Sequence, residues 1–160
     1  NVKSKPVMII LSRQDLPVIN RKKYASAEGT LKGGYILADS EHKPEIILLS
    51  TGSEVHLCLE AYEALKVDGI NARVVSMPCW SLFENQSNEY KEAVLPSDIK
   101  KRIAVEAASS FGWSRYVNTD EGKFITLETF GSSGKYDDLY KFFGITAENI
   151  IIAAKELLKK

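Results

Sequence analysis

Ile46-Ile47-Leu48-Leu49-Ser50-Thr51-Gly52-Ser53 decides the architecture. Its aliphatic residues run without a polar break and stop at a glycine and a serine. The run therefore reads as a strand covered on both faces, as the strands of a parallel sheet are. The next segment changes period: Val55, Cys58, Leu59, Tyr62 and Leu65 recur at helical spacing, with Ser53 as N-cap and Gly69 as stop. A buried strand followed at once by an amphipathic helix is half of a βαβ unit.

The same alternation continues downstream. Ala72 to Met77 is a strand closed by Pro78, and Ser81-Leu82-Phe83-Glu84 reads as a capping box. Ser87-Asn88-Glu89 starts a further helix, which Pro96 ends. Ile103-Ala104-Val105 and Phe124-Ile125-Thr126-Leu127 are two more strands. Thr146 caps a last helix, whose inner face is Ile150, Ile151, Ala154, Leu157 and Leu158. Upstream, Tyr35-Ile36-Leu37-Ala38 is separated from the next strand only by Asp39 to Glu45. A parallel crossover needs about a dozen residues, so this strand lies antiparallel to its sequence neighbour or elsewhere in the sheet. The pattern predicts a three-layer α/β/α domain with a mixed, mostly parallel five-stranded sheet whose first strand is antiparallel. A separate apolar run, Val7 to Leu11, reads as a buried strand. The stretch from Asn20-Arg21-Lys22-Lys23 to Gly29-Thr30 lacks apolar period and reads as a linker with a solvated basic cluster.

A chain of 160 residues, 44% hydrophobic and 26% charged, is one globular domain that folds without disulfides or metals. Its 21 acidic and 21 basic side chains cancel, which argues against nucleic-acid and membrane-surface partners, both of which draw on excess Lys and Arg. No apolar run is long enough for a bilayer, and none reads as a signal peptide. Cys58 and Cys79 make neither a CxxC pair nor a metal spacing. They read as buried, reduced thiols, which places the chain in the cytoplasm. The start at Asn1 reads as a piece cut from a longer polypeptide.

Ligands of open α/β sheets bind beyond the carboxyl ends of the strands. Four segments fall there: Ser50 to Ser53, Met77-Pro78, Glu106 to Ala108, and Thr129 to Ser133. Gly52 and Ser53, at a strand-to-helix turn with free N–H groups, form a candidate anion crevice. Every βα turn shares part of that geometry, so an ordinary turn is the simpler reading. Glu106 ends an apolar strand and needs a partner; a structural hydrogen bond to nearby helix N–H groups serves it better than acid–base work. The glycines from 129 to 134 do not match a dinucleotide fingerprint and shape a turn. His42 and His56 have no triad partners and read as surface residues. Arg13 follows the run at 7–11 directly, and a guanidinium at a sheet edge suits bidentate phosphate binding, although a surface ion pair is the simpler reading.

Leu11-Ser12-Arg13-Gln14-Asp15-Leu16-Pro17 resembles the LSRQ-(N/D)-LP segment of transketolases. The resemblance continues through Ser50-Thr51-Gly52-Ser53-Glu54-Val55, Arg73 to Pro78, Ala104 to Ala107, Ser110-Phe111-Gly112-Trp113, Thr129-Phe130-Gly131 with Ser133, and Phe143 to Ile150. It implies that residues 1–24 are the end of a pyrimidine-binding domain and a linker, and that 25–160 are the C-terminal α/β domain. Transketolases are homodimers that move a two-carbon ketol unit from a ketose phosphate to an aldose phosphate in the pentose phosphate route. They use thiamine diphosphate anchored by magnesium. The metal motif, the thiamine-activating glutamate and the sugar-handling histidines of the family are absent from these residues and belong to upstream domains. The resemblance thus implies no catalytic residue, no metal ligand and no cofactor bound here, with upstream domains of its own chain as partners. It carries over one site residue, Arg13, as the contact to the substrate phosphate. Gly52, Glu106 and Gly131 match family positions without a role to inherit. A small-anion or nucleotide-binding regulatory module, and a purely structural, dimer-supporting domain, are the alternatives.

Overall fold

The computed structural model describes residues 6–159, so the first five residues of the expected 1–24 segment lie outside the described residues. The sheet strands are β1 (Tyr35–Ala38), β2 (Ile46–Ser50), β3 (Ala72–Ser76), β4 (Arg102–Val105) and β5 (Lys123–Ile125). The helices are α1 (Val55–Val67), α2 (Trp80–Glu84), α3 (Asn88–Val94), α4 (Tyr136–Phe143) and α5 (Ala147–Leu158). The strands lie in the order β1-β3-β2-β4-β5. β1 is antiparallel to β3 and sits at one edge, and the other pairings are parallel. The seven residues from Asp39 to Glu45 thus carry the chain past β3 without a helix, as their number requires.

Alternate residues of each central strand feed two cores. Ile46, Leu48, Val74, Ile103 and Val105 face α1 and α5. Ile47, Leu49, Val75 and Ala104 face Phe83, Val94, Trp113 and Tyr116 on the other side. This alternation makes the three layers. Ser87 and Thr146 cap α3 and α5, accepting from the N–H groups of Tyr90 and Asn149. Gly69 ends α1 in the left-handed region, at φ 76°.

Two arginines tie loops to the sheet. Arg73 of β3 is buried; its Nε and Nη2 donate to the two Asp39 carboxylate oxygens at 3.0 and 2.7 Å, and its Nη1 donates to the carbonyls of Ala93 and Val94. One side chain thereby holds the edge strand β1 and the end of α3, where a cation also meets the negative end of the helix. Arg102 likewise donates to the carbonyls of Ile99, Tyr116, Leu95 and Pro96.

Several expectations need correction. Val7 to Leu11 form no strand: the run is 63–87% exposed and lies outside the sheet. A strand apolar on both faces needs hydrogen-bonding neighbours and two covering layers, and the five-stranded sheet already has its own. Ser81 caps nothing, because α2 begins one residue earlier with Cys79 at its N-cap. That place leaves Cys79 half-buried, while Cys58 is buried inside α1. Burial raises the Cys58 thiol far above its ordinary range and keeps it protonated. The linker is also better anchored than its composition suggests. The Ala25 N–H donates to the Leu37 carbonyl, and the Tyr24 hydroxyl donates to Glu63 at 2.8 Å.

Candidate functional site

β2 is followed by α1 on one face and leads to β3, whereas the next crossover returns on the other face to β4 on the far side of β2. The crevice that such a reversal opens lies beyond the carboxyl ends of β2 and β4. A cleft of about 890 Å³ occupies this place. Thr51 to Glu54, Pro78 and Glu106 form its floor, so three of the four expected strand-end segments meet there. Thr129 to Ser133 do not join them and are exposed. The run Val7 to Leu11, with Leu31, supplies the apolar side of the cleft.

The floor is built by buried bonds. The Ser50 hydroxyl donates to the Val105 carbonyl at 2.9 Å, and the Met77 N–H donates to the Ser50 carbonyl at 2.8 Å. These bonds lock the ends of β2, β3 and β4 together. Gly52 then turns the chain at φ 60°, a conformation that disfavours a side chain although nothing lies within 4 Å of the place a Cβ would take. Gly52–Glu54 form one 3-10 turn that runs straight into α1. Ser53 is therefore inside the helical segment and does not cap it. Its hydroxyl donates instead to Glu54 at 2.6 Å.

Glu54 is buried, and its carboxylate also accepts from the Tyr140 hydroxyl of α4. Two residues along, His56 donates from Nδ1 to the Ser53 carbonyl, which leaves Nε2 to accept from the Tyr136 hydroxyl at 3.3 Å. His56 is thus a half-buried structural residue and not a free surface one, whereas His42 is exposed as expected. Tyr136 and Tyr140, four residues apart with ring centroids at 4.2 Å, fasten α4 to the start of α1.

Glu106 is half-buried and accepts from the Trp113 indole N–H at 2.6 Å. Its partner is an aromatic side chain and not a helix N–H. Burial, aided by the charge of Glu54 and opposed by the indole bond, raises the Glu106 carboxyl above its ordinary value of 4.5. The folded chain then holds this proton to higher pH than the unfolded chain does. The stability contributed by Glu106 is full below that ordinary value and is lost as pH rises through the raised one. Glu106→Gln retains an acceptor for Trp113 and removes the titration. Thermal melts across pH are expected to show the native chain losing stability relative to this variant as pH climbs from about 4. A pH-independent difference would contradict the assignment.

Gly52 and Ser53 do border a crevice, and the crevice also presents Glu54 and Glu106. Two carboxylates with an aliphatic wall suit an anion poorly. Arg13 is exposed and makes no hydrogen bond or ion pair among the described residues. It does not line the cleft, although its neighbours Ser12 and Gln14 do. The Glu54–Tyr140 and Glu106–Trp113 pairs escaped sequence reasoning; a carboxylate at each strand end was the only available signal.

The Transketolase-like TK C-terminal domain family matches residues 33–146. The chain is similar to a chloroplastic transketolase of Solanum tuberosum, 48% identical over 154 residues, covering 95% of this chain and 20% of the relative. It is also 48% identical over 148 residues to a transketolase of Aquifex aeolicus, covering 92% and 21%. Among solved structures, the transketolase of Pichia stipitis in complex with sedoheptulose 7-phosphate superposes with a TM-score of 0.80 at 39% identity, covering 92% of this chain and 20% of that one. The chain spans about a fifth of the length of the curated relatives it matches.

Proposed function

The chain belongs to the transketolase family as its C-terminal domain, and from that premise we propose that it serves as the accessory domain of a full-length, thiamine diphosphate-dependent ketol transferase. In this reading the whole enzyme moves a two-carbon unit between a ketose phosphate and an aldose phosphate within the pentose phosphate pathway. It works as a magnesium-dependent homodimer, and the cytoplasm is its compartment. Residues 25–160 are the domain, and 1–24 are the end of the pyrimidine-binding domain with its linker. The observation that carries the reading is the extent of the match: nearly half the residues are identical over 95% of the chain. None of the described helices is long and apolar enough to cross a membrane.

The residues of this chain do not fit the cofactor. A diphosphate with its magnesium needs carboxylate ligands for the metal and cations or N–H donors for the phosphates. Among the described residues no three His, Cys, Asp or Glu side chains gather as a metal site. The cleft offers Glu54, bonded to two hydroxyls, and Glu106, bonded to an indole. We therefore place the cofactor, its metal and the bond-making steps in the upstream domains. Arg13 is the contribution this chain makes to the substrate: an uncommitted guanidinium that binds the sugar phosphate as a two-pronged donor.

The test is a coupled ketol-transfer assay on the purified 160-residue chain, supplied with thiamine diphosphate, magnesium and phosphorylated donor and acceptor sugars. No turnover above the uncatalysed rate is expected. Measurable turnover by the purified chain would overturn the accessory role.

A further inference from the structure

We infer that the carboxyl-end face of the sheet, led by Phe111 and Phe130, is the surface by which this domain docks onto the preceding α/β domain of the longer polypeptide. The inference rests on the accessory-domain reading above and adds the face it uses. Phe111 is 90% exposed and Phe130 is 99% exposed. Phe111 is not exposed because its loop lacks order. Gly112 takes φ 88°, and a Cβ there would lie 2.5 Å from the Trp80 ring. That turn sends Trp113 fully into the core and Phe111 outward.

The loop is also fastened at three points. Glu106 takes the Trp113 indole at its ends. Glu128 accepts from the Ser110 N–H at 2.8 Å and from the Thr126 hydroxyl at 2.9 Å. The Leu127 N–H donates to the Ala108 carbonyl at 2.8 Å. Phe130 lies two residues beyond Glu128. Ordering loops costs conformational entropy, and holding large apolar rings in water returns nothing unless another surface covers them.

The occupant follows from two observations. The relatives carry about four-fifths of their length outside the matched region. The chain also approaches the domain across this same end: Val7 to Leu11, themselves exposed and apolar, border the cleft with Glu106, and Leu31 stands beside them at 75% exposure. The described chain thus reaches the domain over this face.

Hydrogen–deuterium exchange tests the docking. The N–H groups of residues 129–134 donate to nothing among the described residues, so they exchange fast in the 160-residue chain. In the full-length enzyme they are expected to exchange at least about tenfold more slowly. Phe111→Asp with Phe130→Asp, made in the full-length enzyme, should abolish that slowing and open the junction near residues 20–34 to protease. Val67→Asp is the control, because Val67 is equally exposed at the far end of α1. Equal exchange in the two proteins, or a double variant indistinguishable from Val67→Asp, would overturn the inference. Slowing that develops in the 160-residue chain with its own concentration would make a second copy the occupant and overturn it too. Ketol transfer by the unmodified full-length enzyme is read separately. Its absence would defeat the functional reading, whereas a failed docking test leaves it standing.

Discussion

Arg13→Ala in the full-length enzyme is expected to lower kcat/KM for phosphorylated donors by roughly 10- to 150-fold, and to leave a non-phosphorylated donor nearly unchanged. The magnitude follows from the interaction. A hydrogen bond between charged groups contributes about 1.5–3 kcal/mol, and each 1.4 kcal/mol is a factor of ten. Only a donor with a phosphate can use it, so the two donors should separate. Arg13→Lys keeps the charge and loses the planar fork, so it should fall between the native enzyme and the alanine variant. A loss confined to KM marks binding spent equally on ground and transition states. A fall in kcat marks phosphate binding used to position the ketone. Equal losses for both donors would remove the phosphate role. Among the described residues Arg13 has no hydrogen-bond or ion-pair partner, so the substitution breaks no such contact within residues 6–159.

The second large effect concerns the fold. Asp39→Ala should destabilise the domain by about 2–3 kcal/mol in urea titration, because it strands a buried guanidinium. Arg73 is 10% exposed on its side chain and Asp39 is 36% exposed, so water softens the loss without removing it. The two carbonyls at the end of α3 still receive Nη1, but Nε and Nη2 are left without acceptors. Asp98→Ala breaks a pair with Lys43 in which both partners are well exposed, and a far smaller change is expected. Comparable losses from the two substitutions would mean that Arg73 finds another acceptor.

The contrast between these two pairs explains what could be read from the sequence. The strand at 46–50 announces itself because a run of four consecutive aliphatic residues has one stable use in a domain of this size. The caps at Ser87 and Thr146 are equally local, since each hydroxyl serves an N–H three residues on. The antiparallel edge strand follows from counting the residues between Ala38 and Ile46. Long-range side-chain pairs leave no such trace. Asp39 and Arg73 are 34 residues apart, and Glu54 and Tyr140 are 86 apart.

α4 escaped for a related reason. It is eight residues long and buries none of them fully. Its place comes from tyrosine hydroxyls reaching back to the start of α1 and from Tyr140 and Phe143, which are only partly buried against the core. Val7 to Leu11 were misread in the opposite sense. Local composition specifies a strand, but strand pairing needs neighbours that the five-stranded sheet does not provide. The crevice at Gly52 was legible as a turn, but its chemistry was not, because Glu54 and Glu106 meet only once the chain has folded.

Calorimetric titration of the purified 160-residue chain with thiamine diphosphate and magnesium tests the account most directly. No saturable heat is expected, because the strand-end cleft presents carboxylates and aliphatic side chains where a diphosphate needs cations. One-to-one saturable binding of the cofactor by this chain alone would contradict the account at its root.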